Sequence, residues 1–178
     1  FRGINPQSRV VFEFREGAEG LLSLPWEFVK HPQSGRPISL EMPFVRRIGE
    51  GMELEPLEGR PFRVLVVISE PLTQVSFDAR RFHDVIVKEA KKLVDEGLLQ
   101  LEFLSLPSTP DSLARKLLEE APDVIHFIGH GNVGVLLLED EDGSESKVEA
   151  EKFYALLKNG KLRLVVLTAC YSGAVPGR

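Results

Sequence analysis

A chain of 178 residues with 43% hydrophobic and 28% charged residues is long enough to bury one core and reads as an ordinary soluble globular unit. Its net charge of -5 gives no footprint for nucleic acid, which needs clustered Lys and Arg, and no apolar run approaches the roughly 20 residues that span a bilayer. The single cysteine, Cys170, excludes an internal disulfide and a Cys-based zinc site and fits a reducing, cytoplasmic setting; no metal constellation links the histidines, and no cofactor is expected.

In chain order, Val10 to Phe14 (VVFEF) predicts a strand, and Leu24 to Val29 (LPWEFV) a short helix opened by a proline, where the missing N–H costs nothing. The connector Pro56 to Pro61 leads into Phe62 to Ile68 (FRVLVVI), whose near-continuous aliphatic character suits a central strand covered on both faces. From Ser76 to Gly97, Phe82, Val85, Ile86, Ala90, Leu93 and Val94 recur at helical spacing, with Gly97 as the stop. Leu99 to Leu104 alternates as a strand. Thr109, Pro110 and Asp111 supply an N-cap, an N1 proline and an acidic first turn for a helix through Glu120.

Asp123 to Ile128 (DVIHFI) is a third aliphatic strand. Val133 to Leu138 and Val148 frame a turn at Asp142-Gly143. Ala150 to Lys158 is a helix ended by Asn159-Gly160, and Leu162 to Thr168 (LRLVVLT) is the last strand. Strands alternating with helices predict an α/β fold, a three-layer α/β/α sandwich around a mainly parallel sheet. Its organisation reads as an N-terminal segment over residues 1–60 and a core over residues 61–178.

Ligands of such sheets bind at the carboxyl ends of the strands, and two strands here end in reactive residues. DVIHFIGHG puts His130 just past one, and LRLVVLTACYSG puts Cys170 just past the next. An imidazole beside a thiol can take its proton and return it to a leaving amine. The backbone N–H groups of Gly131 and Cys170 could stabilise an oxyanion. Together these make a minimal acyl-transfer site.

Other motifs carry less. His126, inside its strand and opposite in facing to Phe127, reads as packing, and His83 and His31 as surface residues. Gly129 to Gly134 matches GxGxxG, but Val135 to Leu138 reads as a strand where a nucleotide site needs a helix. The acidic stretch Glu139 to Glu145 reads as a solvated hairpin turn, since Leu138 stands where a calcium loop needs its first aspartate.

HFIGHG and LTACYSG, about forty residues apart, together resemble the CHAT branch of the caspase-like cysteine peptidases. Leu24-Pro25-Trp26-Glu27 and Pro43 to Arg47 resemble elements near the start of CHAT domains, and Phe62 to Ile68 their first central strand. The resemblance implies a caspase-like fold and a regulated endopeptidase acting on protein or peptide substrates, with Cys170 as nucleophile, His130 as general base, the backbone of Gly131 and Cys170 as oxyanion hole, and no third triad member. It also implies a sensor module, commonly of TPR type, as regulatory partner. Thr168 stands where caspases carry a P1-lining glutamine, which leaves the P1 preference open. The chain starts at Phe1 and stops eight residues after Cys170. It is therefore expected to be a processed or excised piece whose fold is C-terminally incomplete, completed by a C-terminal subunit or the remainder of the domain. A non-catalytic scaffold that retains the dyad is the alternative.

Overall fold

The computed structural model describes residues 10–14, 17, 19–22, 24–42, 44–48, 56–57, 59–158 and 162–170. They fall into two compact units, dividing between residues 54 and 55.

In the first unit, β1 (Val10–Phe14) pairs in parallel with β2 (Phe44–Ile48), and α1 is a single turn (Glu19–Leu22). The aromatic ring of Trp26 stacks on Phe12 with centroids 5.1 Å apart, and its Nε1–H donates to the Leu21 carbonyl. The LPWE element is a 3₁₀ turn over Trp26–Phe28, shorter than the expected helix, with Pro25 as its N-cap and not its first residue. His31 corrects an expectation of surface exposure. It is buried, and its Nδ1 accepts from the backbone N–H groups of Gln33 and Ser34, both at 3.3 Å, so it caps its own turn.

The second unit is built on four parallel strands in the order β4-β3-β5-β9. These are β3 (Phe62–Ser69), β4 (Leu99–Phe103), β5 (Val124–Gly129) and β9 (Leu164–Thr168). Between them run α2 (Ala79–Asp95), α3 (Pro110–Glu120) and α4 (Ala150–Lys158). A separate antiparallel sheet consists of β6 (Gly131–Asn132), β7 (Val135–Glu139) and β8 (Glu145–Glu149). The expected α/β architecture around a parallel sheet is the one observed, with helices on both faces.

Period-two alternation sorts the strand residues between those faces. Leu65, Val67, Ile125 and Phe127 point to one, where Leu113 and Leu117 of α3, Leu136 and Leu138 of β7 and Phe153 of α4 close over them as a single core. On the other face α2 packs against β3 and β4, with the His83 ring 4.3 Å from that of Phe103. His83 is exposed, as expected of a surface residue, and its ring rests against Phe103.

Local signals explain the element ends. Asp78 caps α2 by accepting from the Arg81 N–H at 2.9 Å, which starts the helix three residues later than the apolar spacing suggested. Thr109 accepts from the Ser112 N–H at 3.0 Å and opens α3 with Pro110 in its first turn. Gly97 stops α2 at φ +70°, in the left-handed region that glycine enters freely. The expected stop at Asn159-Gly160 lies outside the described residues. No helix among the described residues is long and apolar enough to cross a membrane.

At the amino end of the sheet, Asp123 is buried and accepts from the two terminal guanidinium nitrogens of Arg60, each at 2.7 Å, and from the Arg63 N–H at 2.9 Å. The hydrogen bond from Arg60 holds the Asp123 carboxyl below the usual carboxylate range. This clamp fixes the connector before β3 to the start of β5.

Candidate functional site

The parallel pairing of β5 with β9 aligns Ile128 with Thr168. His130 and Cys170 each lie two residues beyond that register pair, so the topology delivers both to the carboxyl end of neighbouring strands. Cys170 is exposed and His130 half-buried.

Gly131 shows how closely the two segments approach. A Cβ built there would lie 2.8 Å from the Cys170 carbonyl oxygen and 3.2 Å from the Ala169 Cβ. Any side chain at 131 would push the histidine segment off the cysteine turn, so glycine is required by proximity. Leu137 N–H donates to the His130 carbonyl at 3.1 Å. Since successive residues of an antiparallel pair turn their polar groups to opposite sides, the Gly131 amide faces away from β7.

The His130 ring is oriented by a group that no residue pattern announced. Its Nε2 lies 2.7 Å from the backbone carbonyl of Val75. A carbonyl only accepts, so Nε2 carries the hydrogen and Nδ1 is the nitrogen left to take a proton. The ring also packs edge-on against Phe77, with centroids 5.5 Å apart. Both partners come from residues 70–78, between β3 and α2. The expectation of a dyad without a third member thus gains an orienting carbonyl. Any residue can supply one, which is why sequence reading missed it.

The remaining candidates sort by geometry. His126 does face away from Phe127 but is not enclosed. It is half-buried, with Nε2 3.0 Å from Thr168 Oγ1, and burial lowers its pKa. Gly129 to Gly134 opens the β6–β7 hairpin, with Gly134 at φ +69° in its turn, so no helix N-terminus is present to meet a phosphate. The acidic stretch is the β7–β8 turn, as read, except at Glu139. That carboxylate is buried and accepts the N–H groups of Glu70 at 2.9 Å and Ser108 at 2.7 Å. Among the described residues no three His, Cys, Asp or Glu side chains gather as a metal-binding set.

A family profile described as the CHAT domain matches residues 5–177 of the chain. No curated protein matches it.

Proposed function

The chain belongs to the CHAT domain family, which is caspase-like, and on that premise we propose that it is a regulated cysteine endopeptidase with Cys170 as nucleophile and His130 as general base. The observation that carries this reading is the seating of Gly131 against the Cys170 carbonyl at the ends of two in-register strands. In the proposed reaction the imidazole takes the thiol proton and the sulfur attacks the scissile carbonyl carbon. The N–H groups of Gly131 and Cys170 receive the developing oxyanion. The C–N bond breaks as His130 delivers its proton to the departing amine. Water then attacks the thioester, His130 accepts its proton, and the cysteine leaves as the acid product forms.

Protein or peptide substrates, a reducing cytoplasmic setting and a TPR-type sensor belong to the same proposal. So does a companion on the outer face of β9, either a C-terminal subunit or further sequence of the same domain. Leu164 and Val166 are exposed there, which supports a covering element.

A peptide-based thiol-reactive probe tests the chemistry. We expect it to label Cys170 in the wild type, to leave Cys170→Ala unlabelled, and to react about a hundredfold more slowly with His130→Ala. Equal labelling rates for wild type and His130→Ala would refute the dyad.

A further inference from the structure

We infer that Gln74 and Glu145, with Gly143 at the hairpin tip, are positioning residues for His130, so that the β7–β8 hairpin sets the orientation of the base from outside the site. The inference rests on the proposed Cys170–His130 dyad and extends it.

The His130 ring is held by the Val75 carbonyl, yet the Val75 side chain is 81% exposed. Packing of Val75 itself therefore cannot place that carbonyl. Leu72 is equally exposed to solvent. Apolar anchoring of residues 70–78 comes from buried Pro71 and from Phe77, which packs on Phe82 with ring centroids 5.8 Å apart. Polar links hold the stretch between those two anchors. The Leu72 N–H donates to the Gly143 carbonyl at 2.9 Å, and the Gln74 side-chain amide donates to the Glu145 carboxylate. The Glu70 N–H donates to Glu139 at 2.9 Å, and the Glu70 carboxylate in turn accepts the Phe77 N–H at 2.8 Å.

Three of these four links end on β7, β8 or the turn between them, and they bracket Val75 from one side. The hydrogen bond from Gln74, with help from Lys147, keeps the Glu145 carboxyl below its ordinary range, so it is an anionic acceptor at neutral pH. Gly143 sits at φ +78°, and a Cβ there would come within 3.0 Å of Leu72 Cδ1. The hairpin tip is thus shaped to admit Leu72, one residue from Thr73 and two from Gln74.

A hairpin displaced by a bound partner would carry the Val75 carbonyl with it and release the Nε2–H of His130. The ring would then be free to turn away from Cys170 without any change at either residue. This gives a route by which an event at an exposed turn can reach the base.

The test needs no substrate. Alkylation of Cys170 by iodoacetamide is followed by peptide mapping in the full chain from pH 5.5 to 9, with thermal melts as a check on folding. We expect His130→Ala to slow alkylation near pH 6.5 about tenfold. Glu145→Ala and Gln74→Ala should each slow it about threefold, the worth of one ordinary hydrogen bond. Glu145→Gln, which can still accept from Gln74, should recover most of the rate. All deficits should narrow above about pH 8.5, where a thiol ionises unaided, a convergence that general damage to the fold would not produce. Wild-type rates in both alanine variants, with His130→Ala slow, would overturn the hairpin's role and leave the dyad standing. So would a Glu145→Gln variant as slow as Glu145→Ala. An undiminished rate in His130→Ala would remove the dyad and this inference with it.

Discussion

Phe127 and His126 are neighbours on β5, yet one is fully buried and the other only half so, and the difference extends across the sheet. On the face of Phe127, α3, α4 and the β7–β8 hairpin close over β3, β5 and β9. On the face of His126, α2 covers β3 and β4 but leaves Leu164 at 53% and Val166 at 36% exposed. Both faces carry aliphatic residues in the same alternation, so composition alone does not separate them. What separates them is how many elements return to each side. The sealed face fixes the strand ends in register, and the open one adjoins His126 and Thr168, next to the residues proposed to react.

The comparison breaks most sharply at Phe127. Its ring packs against Phe153 with centroids 6.4 Å apart and none of it reaches solvent, so Phe127→Ala should cost about 3–5 kcal/mol in denaturant unfolding. Val166→Ala deletes aliphatic carbon from the same sheet on the other face and should cost under about 1 kcal/mol. Comparable losses at the two positions would mean that the open face is covered in solution.

Asp123 comes next, because it ties the amino ends of β3 and β5 together below both faces. Asp123→Ala removes the acceptor of three hydrogen bonds and should cost about 2 kcal/mol at pH 7, the Arg60 partner being free to turn to water. The carboxyl's folded pKa is depressed, so its stabilisation is present above the unfolded value of about 3.9 and lost as pH falls through the lower folded value. Melting temperatures of wild type and Asp123→Ala should therefore converge in strong acid. A gap that stays constant down to pH 2 would show that the ion pair contributes little.

Much of this was legible in the sequence. Local rules found the caps at Thr109 and Gly97, and period and composition found every strand of the parallel sheet. The ends of β5 and β9 pointed to His130 and Cys170 as candidates, and the register of the two strands brings the segments that carry them to the same end of the sheet. Three features were not legible, for one reason: each depends on a backbone group or a partner distant in sequence. The Val75 carbonyl carries no side-chain signature. Glu139 reads as the start of a solvated turn until the N–H groups of Glu70 and Ser108 close on it. His31 reads as a loop residue until its ring accepts from the turn that follows. A glutamate ending the apolar run Val135 to Leu138 was the one available signal, since a strand that buries its length can bury its last carboxylate too.

His126 offers the smallest and most specific test of the open face. Burial lowers its pKa, so the folded state binds its proton less readily than the unfolded chain does. The neutral ring's stability is thus present above the unfolded value of about 6.5 and is lost as pH falls through the folded value. Half exposure screens the effect to about a few tenths of a kcal/mol. His126→Gln keeps a donor for Thr168 Oγ1 and cannot titrate, so wild type should lose that amount relative to the variant between pH 7 and 5. A companion element on β9 would bury the ring further and deepen the loss. Measuring the same difference with and without such a companion therefore reports whether the face beside Thr168 is open or closed, and no difference in either state would place His126 in full contact with water.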